Sequence, residues 1–375
     1  MSWESIQLGE FITLKRGYDL PASQRKNGDI PVVSSSGVTG HHNEAKVEGP
    51  GVVTGRYGTL GEVFFIQEDF WPLNTALYIQ DFKGNDPRFS AYFLKSVLAG
   101  ISSNKAAVPG VNRNVLHARK VIVTRDPAQQ KAIAATLSAY DDLIENNRQR
   151  IELLEQAARL LYREWFVHLR FPGHEHVRIV DGVPEGWEKK PLSEVASTNV
   201  ESYKAGNLPG EINYIDISSV KEGRIITTNT VSASEAPGRA RRKARLGDVI
   251  WSNVRPNLRA FALVINPEKN DVFSTGFTVL SPISVPFSYL YLFVTTDEFV
   301  GHLVNHATGV SYPAVRAEDF ERAMILVPPA HVLEFFHERA EPIFRLISIL
   351  DNETKSLADA RDLLLPRLMN GEIAV

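Results

Sequence analysis

The stretch QQKAIAATLSAYDDLIENNRQRIELLEQAARLLYREW, residues 129–165, decides the fold. Apolar side chains recur at Ile133, Leu137, Tyr140, Ile144, Ile151, Leu154, Ala158, Leu161 and Trp165, with one polar interruption at Asn147. The steps alternate four and three, which is a heptad seam that holds one helix against another along a narrow stripe. Neither glycine nor proline falls between Pro127 and Pro172. Pro127 suits a first helical turn, where its missing N–H is not needed. A helix of about forty residues is roughly 60 Å long, longer than a globular helix needs, so it reads as a spacer.

The same pattern returns at the other end of the chain. Leu333, Phe336, Ala340, Ile343, Ile347, Leu350, Leu357, Leu364 and Leu368 share one seam, with Thr354 and Arg361 as its polar members. Pro342 is a candidate kink in this second helix. The segments ahead of the helices also correspond. Trp3-Glu4, Leu8 and Glu10 are answered by Trp187-Glu188, Leu192 and Glu194; Gly51-Val-Val-Thr-Gly-Arg56 is answered by Gly247-Asp-Val-Ile-Trp-Ser-Asn-Val-Arg255. The order is therefore globule, helix, globule, helix. The domain reading is 1–125 for a first globule, 126–170 for the first spacer helix, 171–327 for a linker and second globule, and 328–375 for the second spacer helix and tail. The fold class is α+β: two similar α/β domains separated by two long helices in an antiparallel coiled coil, with pseudo-twofold symmetry.

Within the globules, short β-branched runs bounded by turns predict strands at Ile30–Ser34, Gly51–Thr54, Glu62–Ile66 and Ala76–Ile79. The second globule offers Ile212–Ile217, Val249–Trp251, Phe261–Ile265 and Phe277–Leu280. Short helices are expected at Phe89–Leu98 and Tyr289–Val294. Residues 171–186 carry the glycines and prolines of a linker.

Composition narrows the function. The 375 residues contain no cysteine, which removes disulfides and thiolate metal sites and agrees with a cytoplasmic location. No secretory leader is expected from Met1-Ser-Trp-Glu-Ser5, and no apolar run reaches membrane-spanning length. The net charge of −3 does not suit a protein that coats nucleic acid non-specifically, though it allows local basic patches.

Catalytic motifs find little support. The glycines of Gly55-Arg-Tyr-Gly-Thr-Leu-Gly61 are spaced for neither a dinucleotide fingerprint nor a P-loop. Adjacent His41 and His42 read as a solvated loop rather than a metal site. Recognition of DNA finds more support. Candidate contacts lie in the expected loops of the first globule at Ser34, Ser35, Ser36, His41, His42, Arg56, Tyr57, Lys105, Asn112, Arg113 and Asn114. Those of the second are Arg239, Arg241, Arg242, Lys243, Arg245, Asn253, Arg255, Arg259, Tyr312 and Arg316. Arg and Asn pair with guanine and adenine edges, while Ser and Lys hold phosphates. If the seams pair, two globules on an antiparallel ruler match the twofold symmetry of duplex backbones.

Three stretches resemble the specificity (S, HsdS) subunits of type I restriction-modification systems. They are Leu161-Tyr-Arg-Glu-Trp-Phe-Val-His-Leu-Arg-Phe-Pro-Gly173, Val183-Pro-Glu-Gly-Trp187 with Leu192, and Leu364-Leu-Pro-Arg-Leu-Met-Asn-Gly-Glu-Ile373. They are similar to that family's helix ends and to the opening of its second target recognition domain. Arg56-Tyr-Gly-Thr-Leu-Gly61 resembles the glycine-containing strand turn of such domains, whereas the second globule has Asn253-Val-Arg-Pro256 instead. The resemblance implies a non-catalytic chain with two target recognition domains, each reading half of a split sequence in double-stranded DNA. It implies a coiled coil that sets the spacing and docks two methyltransferase (M) subunits, with restriction (R) subunits joining through the complex. S-adenosylmethionine, ATP and magnesium would sit on those partners and no cofactor on this chain. Two readings from other classes compete: a coiled-coil scaffold with protein- or peptide-binding globules, and a nuclease with dispersed carboxylates.

Overall fold

A computed structural model describes residues 3–56, 61–102, 112–204 and 206–375. The chain divides into two compact units: Met1–Asn146 with Glu353–Val375, and Asn147–Asn352. The division cuts both long helices, so each helix serves two cores.

The first unit is built on an antiparallel sheet in the order Thr13–Arg16, Ala76–Asp81, Gly51–Gly55, Val63–Ile66. Every residue of Gly51–Gly55 is buried, as expected of a central strand covered on both faces. Gly51 has no substitute there, because a Cβ would stand 2.1 Å from Cε1 of Phe70. The helix Pro87–Ser102 lays Phe89, Phe93 and Leu94 into the core beneath this sheet. A smaller sheet orders Gly37–His42, Ile30–Ser34 and Trp71–Pro72, the last two parallel.

The second unit repeats the sheet order with Ala196–Thr198, Phe277–Pro282, Val249–Ser252 and Phe261–Leu263. Trp251, fully buried, donates its indole N–H to the Val294 carbonyl at 2.9 Å, which ties the sheet to the helix Phe287–Val294. Its second sheet is larger: Asn229–Ser232, Glu211–Ile215, Asp271–Ser274, Ala240–Arg242. The run Asp271–Ser274 carries no strong strand signal of its own, and parallel pairing with Glu211–Ile215 makes it a strand. A further helix, Asp297–His306, capped by the Thr296 hydroxyl, follows Phe287–Val294 and is not evident from periodicity. Residues 171–186, expected as a linker, are folded: Ile179–Val180 pairs with Val183–Pro184, and the buried Phe171 ring sits 4.8 Å from that of Trp187.

The first long helix runs from Pro127 to Tyr162 and continues as one π-helical turn, Arg163–Val167; the second spans Ala330–Met369 without a break at Pro342. Asp126 starts the first by accepting the Ala128 N–H at 2.9 Å, which satisfies one of the donors that every helix start leaves free. In the first unit, Ile133, Ala134 and Leu137 share a core with Leu365, Leu368 and Met369. In the second unit, Ala158, Tyr162, Trp165 and Phe166 share a core with Leu333, Phe336, Ala340 and Phe344. The start of one helix therefore meets the end of the other in each core, which makes the pairing antiparallel. Of the seam positions, Ile133, Leu137, Ile144, Ile151, Trp165, Leu333, Phe336, Leu350 and Leu368 are buried. Tyr140, Leu154, Leu161, Ile343, Ile347, Leu357 and Leu364 are half-buried. Arg361, a polar seam member, donates to Asp141 at 2.6 Å, and Asp141 also accepts from the Tyr92 hydroxyl. Beyond the end of the second helix, Gly371 lies in the left-handed region at φ 79° and is packed against Trp3, where a Cβ would come 2.5 Å from the indole Nε1.

Candidate nucleic-acid interface

Each unit opens with a strand paired antiparallel to the strand that leads into a long helix. Trp3–Gln7 lies against Lys120–Thr124, and Glu188–Pro191 against Met324–Val327. The five-residue helices Arg113–His117 and Ala317–Glu321 precede those lead-in strands and bury Leu116 and Phe320. The loops that carry the candidate contacts hang from this repeated frame.

In the first unit, Ser34–Ser36 form the turn of the hairpin Ile30–His42. The buried Ser34 hydroxyl accepts the Ser36 N–H at 3.1 Å and lies 3.0 Å from the Ser36 hydroxyl. Ser36 and His41 are exposed and Ser35 is half-buried. His42 requires correction: it is 5% exposed, its Nδ1 accepts the Lys26 N–H at 3.0 Å, and its ring meets Trp71 edge-on at 5.2 Å. Strand alternation turns it inward while His41 faces out, so it holds the hairpin and is withdrawn, with Ser34, from the contact surface. Arg56 is half-buried at the end of its strand, with its backbone N–H on the Thr75 carbonyl. Asn112, Arg113 and Asn114 are exposed, and the Asn112 side chain caps its helix through the Asn114 N–H at 2.9 Å. Tyr57 and Lys105 lie outside the described residues.

Cationic and aromatic residues not singled out from the sequence also gather in this unit. The Lys46 ammonium stands 4.8 Å over the Trp71 ring, and Lys15 stands 5.6 Å from Tyr18. The hydroxyls of Tyr18 and Tyr78 are 3.0 Å apart. Burial pushes the Tyr78 phenol up, while its hydrogen bond and Lys15 hold Tyr18 below the usual phenol value. The interleaved basic and aromatic run Lys15-Arg16-Gly17-Tyr18 was the signal available for them.

In the second unit, the cluster at 239–245 is only partly a loop. Ala240–Arg242 is the edge strand of the larger sheet. Glu201 neutralises part of the cluster: it pairs with Arg245 and lies 3.6 Å from Lys243, whose ammonium also covers the Tyr203 ring at 4.4 Å. Arg241 donates to the Ala240 carbonyl at 2.9 Å, and Arg242 to the Ser202 hydroxyl at 3.2 Å. The Arg242 Nε is buried without a partner, and desolvation lowers the pKa of its guanidinium. Arg239 is exposed.

The remaining candidates converge. The loop Asn253–Arg259 leaves the central sheet and is laced to the segment 308–315 by two backbone hydrogen bonds: Arg255 N–H reaches Pro313 at 2.7 Å and Val315 N–H reaches Asn253 at 2.9 Å. Thr308 N–H closes that segment on Ala314 at 2.9 Å. The Asn253 side-chain oxygen is occupied by the Thr278 hydroxyl at 2.7 Å, which directs Asn253 inward. Arg255 stacks its guanidinium 4.5 Å from the centroid of Tyr312, itself 69% exposed. Arg259 is paired with Asp297 and so is less available to a phosphate. Arg316 is exposed at the start of Ala317–Glu321.

Among the described residues, no three metal-ligating side chains are grouped and no helix is long and apolar enough to cross a membrane. Two units with one frame, each presenting loops rich in Arg, Asn, Ser and Tyr, define a protein built for recognition. Residues 1–156 match the model of the family described as the type I restriction modification DNA specificity domain. The resemblance read from the helix ends is thereby borne out.

Relatives extend the likeness beyond this domain. The chain is 26% identical over 268 residues to the type I restriction enzyme MjaIX specificity subunit of Methanocaldococcus jannaschii, a match covering 66% of this chain and 60% of that one. It is 20% identical to the MjaVIII specificity subunit of the same organism, over 100% of this chain and 93% of that one. In fold it is similar to the S subunit of a type I restriction-modification system from M. genitalium, with a TM-score of 0.65 at 16% identity, covering 98% of this chain and 96% of that one.

Proposed function

We propose that this chain is the DNA-specificity subunit of a type I restriction-modification complex. In this reading the globules of 1–125 and 171–327 are target recognition domains, each serving one half of a bipartite duplex site. The spacer helices of 126–170 and 328–375 set the distance between the half-sites and dock two methyltransferase subunits, with restriction subunits joining through the complex. The chain is non-catalytic; methyl transfer, ATP hydrolysis and cleavage belong to the partners, together with S-adenosylmethionine, ATP and magnesium. The complex works in the cytoplasm, where its DNA is.

The observation that carries the reading is the repeated frame with unlike loops. Opening strand, lead-in strand and short helix recur in both units, whereas the loops at Ser34–Ser36 and Asn253–Arg259 differ in sequence and in the strands that carry them. A repeated frame supports two equivalent placements on a twofold backbone, and unlike loops support two different half-sites. Phosphate contacts fall to exposed Arg113, Arg239 and Arg316, and base contacts to the loop tips.

Adenine-methylation mapping tests this directly, in cells that express the neighbouring methyltransferase with and without this chain. A split motif that appears only with the chain is the expected result. An active methyltransferase in a stable complex that gains no chain-dependent motif would reject the reading in favour of a scaffold.

A further inference from the structure

Arg255 is set apart from the other candidate cations by its backbone and by what surrounds its side chain. Its φ is 50°, in the left-handed region that ordinarily belongs to glycine and asparagine, and Arg259, four residues on, has φ 52°. The two bracket the turn Pro256–Leu258. A left-handed arginine is strained where a glycine would not be, and such strain is retained at positions where the side chain is needed. Arg259 is needed for its pairing with Asp297.

Among the described residues, Arg255 has no carboxylate partner. Its Nη2 donates to the Ser311 carbonyl at 3.1 Å, and the guanidinium plane rests 4.5 Å from the Tyr312 centroid. These contacts fix both the face and the rotation of the group while consuming one of its five N–H donors. Nη2 carries two hydrogens, one on each forked edge of the guanidinium. With one taken by Ser311, the other still forms a two-donor fork with its neighbour, Nε or Nη1. Among the described residues the Arg255 side chain donates to the Ser311 carbonyl alone, at an exposed contact, which leaves a fork for a ligand. The platform beneath it is firm, because the Arg255 N–H is bonded to Pro313 and Val315 to Asn253. The tips beside it, Val310 at 101% exposure and Leu258 at 61%, are apolar. Apolar tips suit base edges and thymine methyl groups better than they suit phosphate.

We infer that Arg255 reads a guanine in the half-site served by the second unit, with Tyr312 and Ser311 as positioning residues that hold its fork for O6 and N7. The inference rests on the proposed DNA-specificity role and names one base within it. A pre-oriented two-donor edge matches the paired acceptors of guanine in the major groove, which adenine, cytosine and thymine do not present. A phosphate can take the same fork; the apolar tips Val310 and Leu258 beside Arg255 are what favour a base edge.

The test uses the intact complex with its methyltransferase and maps methylation motifs for Arg255→Gly, Arg255→Lys and Tyr312→Ala. Arg255→Gly removes the fork and suits the left-handed backbone, so the chain should fold with an unchanged or higher Tm. One guanine of the second half-site should then become degenerate, with discrimination falling about tenfold or more, while the first half-site stays intact. Arg255→Lys should relax the same position, because its ammonium lacks the fork. Tyr312→Ala should relax it less. A motif unchanged at every position in both Arg255 variants, whatever its overall level, would overturn the guanine assignment and leave the specificity role standing. The absence of any chain-dependent motif from the unsubstituted complex would instead overturn the role itself.

Discussion

In the first unit, Glu4 faces Val123 and the Leu8 N–H reaches the Arg119 carbonyl at 2.8 Å. In the second, Glu188 faces Val327 and the Leu192 N–H reaches the Ala323 carbonyl, also at 2.8 Å. The strand register, the turn that follows and the short helix behind it coincide position for position. What lies beyond the frame does not. The first unit carries a three-stranded second sheet with a serine-tipped hairpin, and the second a four-stranded one edged by Ala240–Arg242. The contrast separates two kinds of constraint. The frame is constrained by burial, since Leu8, Leu192, Leu116 and Phe320 have almost no exposed surface. The loops meet solvent and are free to diverge, which is where binding residues concentrate.

The frame is also tied differently in each unit. His117 ends the short helix of the first and accepts the Leu14 N–H through Nε2 at 2.9 Å. Glu321 ends the matching helix of the second and accepts the Thr198 hydroxyl at 2.5 Å. The same junction is closed by an imidazole in one unit and a carboxylate in the other.

Substitutions can break this comparison or sharpen it. The largest effect is expected at Phe336, fully buried against Tyr162, Trp165, Phe166 and Tyr289. Phe336→Ala should cost the second unit about 3–5 kcal/mol. Hydrogen exchange resolved by unit should show protection lost there and kept by Ile133 and Leu137; equal loss in both would mean that the two cores unfold as one.

Next is Asp141, which gathers Arg361 and the Tyr92 hydroxyl in the first unit. Asp141→Ala strands a half-buried arginine and should cost about 1.5–3 kcal/mol, read as a fall in denaturation midpoint. Rescue by Arg361→Leu in the same chain would identify the unpaired charge as the cause.

A smaller effect is expected at the helix start, where Asn112 caps with its side chain while the equivalent Arg316 offers its N–H to Asp319 at 2.8 Å. Asn112→Ala should cost about 1 kcal/mol, and Asp319→Ala a similar amount in the second unit. A larger loss from either, in urea titration, would show that the short helix does more than close the frame.

The smallest effect is one of pH. Burial, with Arg113 and Lys83 nearby, lowers the His117 pKa below its ordinary value of 6.5. The folded state therefore binds fewer protons than the unfolded state just below pH 6.5, so stability rises with pH across that window and is lost as pH falls through it. The first unit should soften on acidification from about pH 6.5, and His117→Gln should remove that dependence. A second unit that softens identically, with no imidazole at Glu321, would break the assignment.

Much of the frame was legible from residue order because burial imposes a period on the chain. The seam of Ile133 to Trp165 and the runs Gly51–Thr54, Val249–Trp251 and Phe277–Leu280 announce a buried face every three to four residues or a buried strand, whatever the partner. Strands with weak signals of their own, such as Asp271–Ser274, were not legible, because their pairing rather than their composition makes them strands.

Sequence alone pointed to the duplication, the helix pair and the likeness to type I specificity subunits, all of which depend on patterns that local order carries. Tertiary structure alone decided which candidate residues are available. Glu201 reaches Lys243 and Arg245 across a sheet edge, Asp297 reaches Arg259 from a neighbouring helix, and His42 turns inward beside Trp71. Ser311 and Tyr312 come to Arg255 from more than fifty positions away. The physical reason is that ion pairing, burial and stacking act over a few ångströms, and which residues come that close is set by strand pairing and loop closure rather than by their separation along the chain.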